Sequence, residues 1–278
     1  MSVEQYGIER YREELRKIEK LLPIAILVSD SAGGIKTSAR YIRATQLYTR
    51  LVASLYSFVR LLPENRITLD REAFWDWGSI AAIARTVIES YHAFYYIGVE
   101  KITEDEVDFR LHVMRFHMNS EKCRLYKDWG ADKNVLMEFE EGLPKDRERL
   151  RNHPCFQKVS PKRGLGLLEG KMAMHLTHVE IAERSNVLGP YFRPFYRLFS
   201  NQVHATTFAF QSQSNIRGRG FENDAERFYI TLATQVVIRY LCRAILEIAE
   251  IFPIQLKGPH ATALERAHEL LEDSLHGP

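Results

Sequence analysis

The sequence predicts an all-α protein, an antiparallel bundle of seven to eight helices, and three observations carry that expectation. Apolar residues recur at three- and four-residue spacing along nearly the whole chain. Period-two runs bounded by turn residues are almost absent. The periodic stretches are long and their connections short, which favours antiparallel neighbours.

The first helix is expected over about 3–27, with Tyr11, Leu15, Ile18, Leu22 and Ile26 on one stripe, and the segment Ser29 to Gly34 breaks it. A second runs over about 35–62 on Tyr41, Leu47, Leu51, Leu55, Phe58 and Leu62, and Pro63 stops it. The third, about 70–99, starts at Asp70 as N-cap and is rich in aromatic and small residues, so it reads as central. Thr103 and Glu106 form a capping box that opens a fourth helix, running to Gly130. A charged fifth helix covers about 133–151 and ends at His153-Pro154. Residues 152–169 concentrate Pro, Gly and Lys and read as a long surface loop. A short helix near 170–184 follows, then a sixth main helix over about 191–212 and a polar Gly-Arg loop. The seventh, about 222–250, carries the most apolar surface, and an amphipathic helix closes the chain at about 259–275.

The whole chain, 1–278, reads as a single all-helical domain with its core at about 35–250 and the first and last helices peripheral. Its 45% hydrophobic and 27% charged residues, with 15 Gly and 10 Pro, exclude a disordered tail or a collagen-like repeat. Thirty-eight basic against thirty-six acidic residues leave +2, so any polyanion site must be a local patch. The opening MSVEQYGIERYREELRK has no apolar h-region, and no stretch of about 18 apolar residues lacks a charge, so neither a secretion signal nor a membrane partner is expected. Cys123, Cys155 and Cys242 are odd in number and include no C-x-x-C pair, which points to a reducing cytoplasm.

Two polar runs interrupt the apolar pattern. Arg197, Ser200, Asn201 and His204 fall at i, i+3, i+4 and i+7, one helix face. A His with pKa near neutrality and a fixed Arg are what phosphodiester chemistry needs, one to move protons and one to hold developing phosphorane charge. The same spacing also describes a polar seam inside a bundle. Arg85, Glu89 and His92 repeat the geometry in an otherwise apolar helix, where an Arg85–Glu89 pair would lock register. The two runs facing each other would make one pocket.

Other motifs are weaker. Glu89-x-x-His92 and Glu265-x-x-His268 match di-iron ligand spacing, but two further inward Glu residues are lacking, and no metal or cofactor is expected. His175/His178 and His112/His117 are pairs without a third ligand. Arg217 and Arg219, flanked by Gly, are candidate nucleic-acid contacts, joined by Lys158, Lys162 and Arg163, and also describe a solvated loop. The aromatic stripe Phe74, Trp75, Trp77, Tyr91, Phe94, Tyr95 reads as core or a dimer face. No P-loop, dinucleotide fingerprint, nucleophile elbow, kinase set or helix-turn-helix is present.

The order Arg85-x-x-x-Glu89, then Asn152-His-Pro-Cys-Phe156, then Tyr196-Arg-x-x-Ser200-x-x-x-His204 resembles a bacterial helical family known only as a domain of unknown function, over roughly 40–250. The Arg197-x6-His204 run also resembles the signature of the HEPN (higher eukaryotes and prokaryotes nucleotide-binding) superfamily. That resemblance implies a HEPN-like helical core and, as in many members, a dimeric metal-independent ribonuclease of toxin or defence systems. Arg197 would be the phosphate-stabilising cation and His204 the general acid or base. Members commonly carry a polar residue directly after the Arg. Here it is Leu198, and the nearest substitutes are Ser200 and Asn201.

Two functions are therefore expected to compete. One is a homodimeric ribonuclease or RNA-binding protein, with RNA and an antitoxin or other protein as partners, using Arg197, His204 and Asn201 with Arg85, Glu89, His92 and Ser200 in support. The other is a non-catalytic interaction module in which Arg85/Glu89 and Arg197/His204 form a structural seam. A catalytic His204 must reach solvent near Arg197, whereas a seam histidine is buried and satisfied.

Overall fold

The computed structural model describes residues 7–68, 73–204, 207–211, 217–252 and 262–275, and among them every regular element is helical apart from one isolated β-bridge between Trp75 and Gly220. The α-helices are α1 (Ile8–Ala32), α2 (Ala39–Leu61), α3 (Trp77–Phe94), α4 (Glu104–Asp128), α5 (Lys133–Arg151), α6 (Pro161–Leu168), α7 (His178–Ser185), α8 (Phe192–Val203), α9 (Thr207–Gln211), α10 (Asp224–Ile251) and α11 (Ala263–Leu275). The all-α class is as the periodicity predicts. The segments among the described residues exceed the expected seven to eight: the stretch 191–212 is divided into α8 and α9, and α6 forms inside the expected loop.

Where boundaries differ, a specific residue accounts for it. The first helix continues through Pro23 and past Ser29 to Ala32, and ends only where Gly33 turns extended. The third does not start at Asp70, which lies outside the described residues. It starts at Trp77, because the Asp76 carboxylate accepts from the Ser79 amide at 3.1 Å and caps the helix. Thr103 caps α4 as the capping box predicts. The expected surface loop at 152–169 is instead a 3₁₀ turn, Phe156–Lys158, followed by α6 with Pro161 in its first turn, where a missing N–H costs nothing. The helix expected over 191–212 stops at Val203, and His204 adopts extended φ −103 and ψ 134.

The chain divides into two compact units, residues 1–99 with 181–278, and residues 100–180. In the first, α10 packs on α1, α2, α3 and α11, and α3 packs on α2, α8 and α10. Helix α10 is apolar on most of its circumference, with Ile230, Ala233, Val237, Leu241, Ile245 and Ile248 all inaccessible. Fully burying each of the Ile, Leu and Val side chains contributes about 1.5–3 kcal/mol. Glu14 of α1, itself buried, is held by Arg10 at 3.1 Å and by the Gln235 amide at 3.3 Å, which ties α1 to α10 through a paired charge.

In the second unit, Phe109, Val113 and Phe116 recur along one face of α4 and close a core with Leu150 of α5 and Leu167 of α6. Asn152-His-Pro-Cys-Phe156 forms the turn that seals it: the His153 Nδ1 accepts from the Cys155 amide at 3.1 Å, and Phe156 packs on the core. A Cβ on Gly164 would come 3.1 Å from the Phe156 ring, so the glycine lets α6 approach. Arg110 is inaccessible yet paired, 2.6 Å from Glu100 and 3.0 Å from Glu106. His112 accepts from Arg115 at Nδ1 (3.2 Å), which leaves Nε2–H to donate to the Asp146 carbonyl (3.1 Å). Burial holds its pKa below the ordinary histidine value.

Candidate functional site

The polar side chains that sequence spacing singles out converge at the contact of α3 and α8, though not in the expected set. Arg85 and Glu89, one turn apart on α3, are paired at 2.9 Å. Tyr196, the α8 residue beside Arg197, donates its hydroxyl to Glu89 Oε1 at 2.7 Å. Its ring lies under the Arg85 guanidinium, 5.5 Å from the centroid. Burial and then Glu89 push the Tyr196 hydroxyl above its ordinary pKa, so it stays a donor at neutral pH. Arg85 is pulled down by its partial burial, but Glu89 and Tyr196 outweigh this and raise it.

Tyr196 was not among the expected site residues. Its place four residues before Ser200 was the available signal, and the Ser200 hydroxyl donates to the Tyr196 carbonyl at 2.6 Å. His92 is not part of this cluster. It is fully buried, 3.5 Å from the Tyr240 hydroxyl and packed 5.2 Å from the Phe192 ring. The Glu89-x-x-His92 spacing thus sends its two side chains to different partners. Glu265 and His268 are exposed on α11. Among the described residues no group of three or more His, Cys, Asp or Glu is placed to hold a metal ion.

Arg197 and His204 stand apart from the seam. Both are exposed, and among the described residues neither is held by a hydrogen bond or ion pair. Arg197, Ser200 and Asn201 keep helical register, but the helix ends before His204, so the expected i+7 alignment is lost at the C-cap. Asn201 is half-buried and partnered.

Residues 217–220 at the end of the Gly-Arg loop are held by contacts to the start of α3 and to α10. The Trp75 amide donates to the Gly220 carbonyl at 2.9 Å, and Gly220 sits at φ +81 with the Phe74 ring where a Cβ would be. Arg217 is half-buried, 3.5 Å from Glu226 and 5.3 Å from the centroid of Tyr229, while Arg219 is exposed. Gln202, two residues before His204, and Arg217 line one cavity of about 210 Å³ together with Trp75 and Trp77. Phe74, which also lines it, is 64% exposed, and Phe210 and Phe221, the sequence neighbours of the lining residues Ala209 and Gly220, are 54% and 70% exposed.

No helix among the described residues is long and apolar enough to cross a membrane. Neither a curated protein nor a solved structure matches the chain. The profile of a family of unknown function (DUF5677) matches residues 41–220, which include the α3–α8 cluster and end at the Gly220 bridge. That match spans well over half of the chain, and the protein belongs to this family.

Proposed function

We propose that this protein is an RNA-binding, metal-independent endoribonuclease whose working groups are Arg197 and His204, with Asn201 one helical turn from Arg197. The observation that carries the reading is the exposure of both Arg197 and His204 on a unit whose structural polar role is already filled by Arg85, Glu89 and Tyr196. The exposed His204 imidazole is available to move a proton, and the exposed Arg197 guanidinium is available to hold phosphorane charge. Exposed Phe74 in the cavity lining offers a face on which an unpaired base stacks, and Arg219, exposed between the lining residues Gly218 and Gly220, is available for a phosphate. The resemblance of Arg197-x6-His204 to the HEPN signature supports the same chemistry. It also favours a homodimer, in which one His204 deprotonates the 2′-hydroxyl and the partner's His204 protonates the 5′-oxygen leaving group.

The test compares wild type with H204A and R197A on a labelled RNA oligonucleotide without metal. Because both side chains are exposed, each variant is expected to keep its thermal midpoint and lose cleavage. The second reading, a non-catalytic interaction module, is favoured by the satisfied Arg85–Glu89–Tyr196 seam. It predicts no cleavage by the wild type and capture of a protein partner that Y196F or E89Q weakens.

A further inference from the structure

We infer that the cavity lined by Gln202, Trp75, Trp77 and Glu226 is a guanine-binding subsite, an inference that rests on the RNA reading above and names the base it selects. Glu226 is only 2% exposed. Its Oε1 accepts from the Gly218 amide at 3.2 Å and faces Arg217 Nε at 3.5 Å. Its Oε2 is buried and has no hydrogen-bond partner among the described residues. Glu226 lines the cavity, and a carboxylate oxygen offers only lone pairs, so a ligand bonded to it brings an N–H or O–H donor.

The four RNA bases differ in what they bring. Guanine alone carries two adjacent donors, N1–H and N2–H₂, on its Watson–Crick edge. Adenine and cytosine place an amino group beside a ring-nitrogen acceptor, which a carboxylate repels, and uracil sets one N–H between two carbonyls. Guanine also has the O6 acceptor, and half-buried Gln202 supplies an amide that donates to it. Trp75 and Trp77 are apolar walls for a planar ring, with Trp77 held by stacking on Tyr229 at 5.2 Å. A cavity of about 210 Å³ suits one base rather than a whole nucleotide. The sugar and phosphate would stay outside, on the side of exposed Arg219. Base recognition of this kind, an extruded ring held between apolar walls and read along its Watson–Crick edge, needs single-stranded RNA.

The test is calorimetric titration of the full chain with 3′-GMP, 3′-AMP, 3′-CMP, 3′-UMP and methylguanidine. The expected result is a preference for 3′-GMP of about tenfold or more, lost in E226Q, where one acceptor oxygen becomes an amide donor. Q202L, at a half-buried position, is expected to weaken 3′-GMP several-fold and carries the test should E226Q fail to fold. Equal binding of the four nucleotides, binding indifferent to both variants, or methylguanidine binding as tightly as 3′-GMP overturns the subsite. A chain that binds 3′-GMP selectively but cleaves no RNA keeps the subsite and loses the ribonuclease. One that cleaves RNA without binding 3′-GMP does the reverse.

Discussion

The Tyr196 hydroxyl donates to Glu89 across the α3–α8 contact at 2.7 Å, and that bond joins two polar runs more than a hundred residues apart in sequence. Y196F keeps the ring under Arg85 and removes only the donor. Both partners are partly exposed, so the loss should be modest, about 1 kcal/mol. Urea unfolding checks it: the midpoint should fall with an unchanged slope, and an unchanged midpoint would mean the bond is not formed in solution.

Buried Glu247 gives a pH signature. Burial raises its pKa above the ordinary carboxylate value, more than the opposing bonds from Arg243 (2.7 Å) and Tyr91 (2.9 Å) lower it. The folded state therefore holds this proton more tightly than the unfolded chain. The stabilisation from the protonated form is complete below the unfolded pKa of about 4.3 and is lost as pH rises through the folded value. E247Q, which cannot ionise, should accordingly gain stability relative to wild type on going from pH 4 to pH 7. Denaturation curves at both pH values read the difference, and a constant gap would contradict it.

Gly220 fixes how the Gly-Arg loop meets the start of α3. At φ +81 an L side chain is strained, so G220A should cost about 1–2 kcal/mol. The Phe74 ring, 64% exposed, is able to move aside, and F74A in the G220A background should recover little. Full rescue by F74A in thermal unfolding would show that crowding, not backbone conformation, sets the cost.

Much of the fold was legible because helical periodicity is a local property. Thr103 capped α4 as its spacing with Glu106 predicts, and the α10 stripe of Ile230, Val237 and Ile248 is buried as its pattern predicts. Breaks were less legible. The run after Val203 carries neither Gly nor Pro, so the end of α8 before His204 has no stop signal in the sequence. Asp76 caps α3 because its carboxylate reaches the Ser79 amide, which composition does not reveal. The Pro-Gly content of 152–169 suggested a loop, yet Pro161 in a first turn and Gly164 against Phe156 serve a helix. In the candidate site, Arg85 and Glu89 pair as their i, i+4 spacing predicts. Tyr196 and Glu226 were missed because their partners, Glu89 and the Gly218 amide, meet them only after folding.

The central claim, phosphodiester chemistry at Arg197 and His204, is tested most directly by the 3′ ends of the product. Purified chain in chelator would be incubated with a labelled single-stranded RNA carrying guanines, beside H204A. The account predicts 2′,3′-cyclic phosphate ends from the wild type and none from H204A at equal thermal stability. Cleavage that persists in H204A, 3′-hydroxyl ends, or no cleavage by the well-folded wild type would contradict it.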